Sequence, residues 1–331
     1  MISTRLRIGA AVSALALGLT ACTSDGSEVT SAATEGETST IEVEDNNGTQ
    51  TVTVPPRSVV ATDNRLFETL SDWGVPLSAA PVTLMPDTIA YKLDESIVDL
   101  GNHREPDLEA VVAADPDLII NGQRFADYRG DFTRLVPQAT VIDLDPREDQ
   151  PFDEELKRQV TVLGEIFDKQ EEAGQLVADF DASIERVRAA YRDGDSVMAL
   201  ITSGGDIGYV TPGTGRTLGP LFDIFGFEPS LDIDEGSDNH QGDDISVEAI
   251  ADSNPDIILA MDRDAAIAAE AESPAYRPAN ELLSTSQALQ RVTAVRDGNI
   301  VYMPADTYTN ESIQTYTEFF NSLADALEAK N

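Results

Sequence analysis

Two arginines close the same phrase in two places. Residues 109–120 read EAVVAADPDLII, residues 248–259 read EAIADSNPDIIL, and each run is followed four residues later by an arginine, Arg124 and Arg263. Phrase and arginine repeat at a shift of 139 residues. A third arginine, Arg216, lies in PGTGRTLG, a glycine-bearing loop ahead of a helical pattern. A cation at a helix start opposes the helix dipole, so helix stability does not explain it. An anion held there gains from both the free N–H groups and the guanidinium. The chemistry these residues share is anion recognition, since guanidinium groups offer planar donor forks, permanent charge and stacking on aromatic rings. No hydrolytic set accompanies them: there is no G-x-S-x-G elbow, no H-E-x-x-H, and no cysteine besides Cys22. Two histidines, His103 and His240, are too few for a zinc or manganese site built from several His and carboxylates.

The elements that must position these arginines are legible around them. Leu108, Val111 and Val112 share one helical face, as do Val247, Ile250 and Ala251. Pro116 and Pro255 end those helices, because proline lacks the N–H and clashes with the preceding turn. The runs DLII and DIIL that follow are short and branched, which suits strands covered on both faces. Residues 58–75 read as strand, loop and helix; residues 196–227 read the same way with a longer loop, and Gly74 and Gly226 suit helix C-caps. The expectation is an α/β chain with two similar lobes, each a mostly parallel sheet flanked by helices. Ligands bind beyond the carboxyl ends of such strands, so Arg124 and Arg263 should both face the space between the lobes. Between the lobes, Leu156, Val160, Leu163 and Phe167, then Val177, Phe180, Ile184, Val187 and Tyr191, keep helical spacing. One long α-helix over 152–192 would run about 50–60 Å at ~1.5 Å per residue and join the lobes. A last amphipathic helix carries Ile313, Tyr316, Phe320, Leu323 and Leu327.

The 331 residues carry a formal net charge of −38 and are 41% hydrophobic, enough for sizeable cores. Such acidity argues against nucleic acid and against a polybasic grip on anionic lipid. At the N-terminus Arg5 and Arg7 precede an apolar stretch, Ile8–Leu19, too short for a membrane-spanning helix but fit for the core of a secretory signal. It ends in Leu-Thr-Ala-Cys, residues 19–22, which resembles the lipobox of bacterial lipoproteins and implies cleavage before Cys22 and a lipid on its sulfur. The polar stretch that follows reads as a flexible tether. The expected organisation is a leader at 1–21, lipidated Cys22 and tether at 22–39, a first lobe at 40–151, the connecting helix at 152–192 and a second lobe at 193–331.

Lipobox, tether, two α/β lobes, one connecting helix and the doubled phrase together resemble the class III substrate-binding proteins of ABC importers. Within that class the chain looks like the ferric-siderophore-binding lipoproteins, most closely in REPDLEAVVAADPDLIINGQRF, residues 104–125. The resemblance implies a carrier with no catalysis and no cofactor, acting as a monomer outside the cytoplasm and held to the cell membrane by the lipid on Cys22. It implies that Arg124, Arg216 and Arg263 form a cationic pocket for an anionic ferric catecholate. It also implies that His240, in SDNHQGDDISVE, and Tyr308, in PADTYTNES, fill open sites on the iron of an incompletely coordinated siderophore. Glu109 and Glu248, in the first turns of the repeated helices, would dock on the two subunits of the permease. A pseudo-twofold receptor meeting a twofold permease needs such a matched pair. A haem or cobalamin carrier of the same fold is the alternative reading, and a surface-anchored hydrolase is the one from another class.

Overall fold

The structure is a computed structural model that describes residues 38–330 apart from Asn102, Asp232, Asp234 and Glu235. The leader at 1–21 and Cys22 lie outside the described residues, as does the tether up to Glu37. Ser39 already opens the first strand. Strands β1 (Ser39–Asp45) and β2 (Gly48–Val54) form an antiparallel hairpin whose Val43 and Val52 are buried.

Both repeated apolar runs form strands buried on both faces. The first lobe holds β3 (Val59–Ala61), β4 (Ala79–Ala80), β5 (Val98–Asp99), β6 (Leu118–Asn121) and β7 (Thr140–Asp143), all parallel, in the order β5-β4-β3-β6-β7. On β6, Leu118 and Ile120 enter one core while Ile119 enters the core on the opposite face. Alternation of side chains along a strand requires that split, and each fully buried aliphatic contributes about 1.5–3 kcal/mol. Helices α1 (Phe67–Asp72), α2 (Leu108–Ala113) and α3 (Arg129–Leu135) flank this sheet.

The connector departs from expectation. It is two helices, α4 (Phe152–Phe167) and α5 (Gln170–Ala190), broken at Asp168, whose φ of 55° is left-handed, and Lys169. Helix α5 folds back antiparallel along α4: Lys157 Nζ lies 3.0 Å from Asp181 Oδ1, and a Cβ on Gly164 would stand 2.8 Å from that of Ala173. Residues 168–172 are Asp-Lys-Gln-Glu-Glu, with nothing to bury through a turn, and aspartate tolerates the left-handed region. One helix still joins the lobes, but it is α4 alone, 16 residues and about 24 Å long. It buries Leu156 and Val160 in the core of the second lobe and Val162, Leu163 and Ile166 in that of the first.

The second lobe holds β8 (Ser196–Ser203), β9 (Asp206–Tyr209), β10 (Glu228–Pro229), β11 (Asp243–Asp244), β12 (Ile257–Asp262) and β13 (Ile300–Tyr302), in the order β11-β9-β8-β12-β13 with β10 also on β8. Strand β8 pairs parallel with β12 and β10, and antiparallel with β9. The sheet is therefore mixed, and the longer loop read in 196–227 holds an extra strand. Gly204 and Gly205, both at positive φ, make the tight turn between β8 and β9. Helices α6 (Pro220–Phe225) and α7 (Val247–Ser253) follow, and Gly226 caps α6 at φ 66° as its position suggested. The C-terminal helix, Ile313–Lys330, packs Tyr316, Phe320, Leu323 and Leu327 into the same core as α4 and α5.

The doubled phrase does the same structural work in each lobe. Asp115 and Asn254 take left-handed conformations just before the prolines. The aspartates after the prolines then cap the start of the neighbouring strand: Asp117 accepts from the N–H groups of Arg57 and Ser58, at 2.8 and 2.9 Å, and Asp256 from that of Ser196 at 2.9 Å. Asp107 and Ser246 are the N-caps of α2 and α7. Glu109 and Glu248 stand exposed in the first turns of those helices.

Candidate functional site

Each of the three arginines is delivered by a strand's carboxyl end or a helix start. Arg124 follows β6, and its loop lies beside the segment that follows β3, at the point where the strand order turns outward in both directions. That is where open α/β sheets bind ligands. Gly122 permits the approach of these two segments: its φ suits any residue, but a Cβ would stand 2.6 Å from Asp63 Oδ2. Arg263 directly follows β12, its N–H donating to Thr202 O on β8. Arg216 precedes α6.

The three guanidiniums meet over one ring. Their Cζ atoms lie 5.7 Å (Arg124), 4.9 Å (Arg216) and 4.7 Å (Arg263) from the centroid of Tyr308, on the segment between β13 and the C-terminal helix. Burial alone would raise the Tyr308 phenol. Hydrogen bonds from Arg124 and Arg263 and the charge of Arg216 outweigh it and hold the phenol below its ordinary value. His240 is exposed, and lost hydration, then the charges of Arg263, Arg216 and Arg124, hold its imidazole below the usual range. Both effects favour the neutral imidazole. All five residues chosen from the sequence thus fall in one neighbourhood. His103 is exposed and enters none of these interactions. Among the described residues no three His, Cys, Asp or Glu stand close enough to hold a metal ion.

Sequence reasoning missed a second ring of charge beneath the first. Arg65 pairs with Asp145 at 3.3 Å, with Glu311 at 3.3 Å and with Asp63 at 3.8 Å. Glu311 also accepts from Arg216 Nε at 3.2 Å and from Thr217 Oγ1 at 2.6 Å. The signal for Arg65 was available: it stands four residues after the short apolar run VVA at 59–61, as Arg124 and Arg263 stand four residues after the repeated phrases that end at 120 and 259. Around this junction Asp63 Oδ2, Gln123 Oε1, Arg216 Nη2 and Arg263 Nε are buried without a hydrogen-bond partner. Buried polar groups in native proteins usually find partners, and these four atoms have none within the protein.

Asp63 is fully buried, and burial together with the nearby Asp145 and Glu311 charges pushes its carboxyl up to about 7 against the pull of Arg65. The fold then binds a proton that the unfolded chain has released, so stability falls as pH rises from about 4 to about 7. Asp63→Asn should stabilise the protein by about 1–3 kcal/mol at pH 8 and give no gain near pH 4. Denaturant melts at the two pH values check this, and an equal effect at both would place the Asp63 proton elsewhere.

A sequence model described as "Periplasmic binding protein" matches residues 59–307. The petrobactin-binding protein YclQ of Bacillus subtilis (strain 168) is 27% identical over 294 residues, 86% of either chain. The ferric-anguibactin-binding protein FatB of Vibrio anguillarum is 28% identical over 270 residues, 81% of either chain. The crystal structure of YclQ superposes with a TM-score of 0.73 at 24% identity, covering 88% of this chain and 99% of that one. That likeness establishes the two-lobed fold.

Proposed function

The chain belongs to the periplasmic binding protein family, and on that premise we propose that it captures an anionic ferric siderophore between its lobes and delivers it to an ABC importer. Proteins of this family work outside the cytoplasm, and they bind substrates rather than transform them. The observation that carries the reading is the convergence of Arg124, Arg216 and Arg263, from both lobes, on the ring of Tyr308. In a chain of net charge −38, a cationic patch of this kind is a local inversion of the global field. Guanidiniums suit catecholate ligands doubly, through charge-assisted hydrogen bonds to the oxygens and stacking on the rings. The names of the relatives, which bind petrobactin and ferric anguibactin, support an iron-bearing ligand.

Tyr308 and His240 complete the reading. A phenolate is a hard oxygen donor for Fe(III), and the arginines favour that form. The imidazole of His240, held toward its neutral form by lost hydration and the charges of the same three arginines, offers a nitrogen. We assign both to open coordination sites of a siderophore that does not fill the metal's shell. The lipid on Cys22, the docking of Glu109 and Glu248 on a permease dimer and a monomeric carrier belong to the same proposal. Among the described residues no helix is long and apolar enough to cross a membrane.

Quenching of intrinsic fluorescence by a panel of ferric complexes tests the proposal. Saturable binding of ferric catecholates, with neutral hydroxamates, haem and cobalamin much weaker, is the expected outcome. His240→Ala with Tyr308→Phe should cost about tenfold or more for a tetradentate complex, where two protein donors are lost. It should cost little for a hexadentate one, and the visible phenolate-to-iron band of the tetradentate complex should vanish. Equal losses for both ligands would reduce the two residues to pocket shape. A panel with no saturable binding would overturn the function.

A further inference from the structure

Glu311 is held from both lobes at once. Its side chain is 2% exposed. One carboxylate oxygen faces Arg65 of the first lobe, and the other accepts from Arg216 and Thr217 of the second. The segment that carries it is tied down on either side by the first lobe. Thr88 donates to Asp306 at 2.5 Å, Asn310 and Ser312 both donate to Glu68, and Thr69 donates to Gln314 at 2.9 Å. Glu311 has little freedom to leave Arg216.

This grip sets what Arg216 presents. Its Nε is committed to Glu311, its Nη2 is buried without a partner, and its Cζ stands over Tyr308. Arg263 is arranged alike: Nη1 meets Asp264 Oδ1 at 3.1 Å and Ser203 Oγ at 3.2 Å, while Nε is buried and unmatched. Arg124 has no carboxylate within ion-pair distance among the described residues. Four guanidiniums at the junction are therefore faced by Glu311, Asp264 and Asp145, before Asp63 is considered. The cationic patch is strongly trimmed, and Glu311 is the trimming group shared between the lobes.

We infer that Glu311 is a specificity-determining residue, which orients Arg216 and sets the net charge against which the pocket weighs anionic ligands. The inference rests on the ferric-siderophore reading. It concerns discrimination between ligands of different charge, not binding as such. A buried carboxylate that only held the lobes together would affect all ligands alike. One that sets pocket charge acts in proportion to ligand charge.

The test uses two probes, the ferric complex of a hexadentate tris-catecholate and that of a tetradentate bis-catecholate, with charges of about −3 and about −1. Affinities are read by fluorescence quenching for the wild type, Glu311→Gln, Arg65→Gln and the double variant. Glu311→Gln keeps the shape and removes one negative charge, so the affinity ratio should move toward the tris-catecholate by about tenfold or more. Arg65→Gln should move the ratio the opposite way. The double variant, which loses one charge of each sign, should return it most of the way to the wild-type value. Removing one partner of a buried pair can destabilise the fold. If Glu311→Gln does not fold, the Arg65→Gln and double variants carry the comparison. A wild type that binds both probes, with the same ratio in every folded variant, overturns the inference alone. A wild type that binds neither probe overturns the functional reading and this inference with it.

Discussion

Alanine at Arg124, Arg216 and Arg263 together should lower the affinity for a ferric catecholate by about three orders of magnitude or more, with secondary structure intact. Each charge-assisted contact is worth about 1.5–3 kcal/mol, so a single replacement should cost about 10- to 150-fold. The three share one ligand and one ring, so their losses will not simply add. The structure also separates the single variants. Arg124 has no carboxylate partner among the described residues, so Arg124→Ala should weaken binding at nearly unchanged melting temperature. Arg216→Ala leaves the buried Glu311 with Arg65 as its remaining cation, so it should weaken binding and lower the melting temperature as well. Titration of the four variants with a ferric catecholate, alongside thermal melts, reads both effects. A triple variant that still binds at wild-type affinity would move the pocket away from Tyr308.

The second large effect is expected in cells. Replacing Glu109 and Glu248 together by alanine should abolish iron-siderophore uptake while ligand binding and folding stay nearly unchanged. Both carboxylates are exposed in the first turns of α2 and α7. Each of those helices precedes a parallel strand through a tight turn and runs back against it. Its start therefore lies level with the strand's carboxyl end, the side from which Arg124 and Arg263 emerge. Complementing the helix dipole is worth only about 0.3–1 kcal/mol at each site, and Asp107 and Ser246 already cap the helices. A pair of exposed charges related by the internal repeat suits registry and steering on a two-subunit partner more than raw affinity. Transport of a radioiron complex by cells expressing the variant at native level is the measurement. Normal transport would leave the two residues as helix-end charges and nothing more.

Much of this was legible because the chain states it twice. The repeated phrase gave helix, turn and buried strand in each lobe, and the arginines at the same shift pointed to the strand ends where they stand. Fixed offsets from a strand survive folding, since β6 and β12 are buried on both faces and have no alternative register. The connector was misread for the opposite reason. Helical spacing persists on both sides of Asp168, and periodicity does not reveal one left-handed residue between two helices that pack on the same core. Strand β9 was hidden in a loop because it is four residues long, although Gly204-Gly205 between apolar runs was a hairpin signal. Arg65 had a signal in its spacing, but the ring of charge it enters was invisible for a different cause. Arg65, Asp145 and Glu311 come from separate parts of the chain and meet only once both lobes are built, and among 60 acidic residues nothing in sequence distinguishes the buried few.

Helix α4 has a consequence for how the molecule comes apart. Within two turns the same helix supplies Val160 to one core and Val162, Leu163 and Ile166 to the other. Neither lobe can release it without opening a cavity in its own core, and large cavities in a core cost several kcal/mol. The clean domain boundary suggested at residue 151 is therefore not a place to cut: a fragment ending there would expose the floor of its own core, and the remainder would carry a helix with half its apolar face bare. The two lobes are separate in architecture but are expected to unfold as a single cooperative unit.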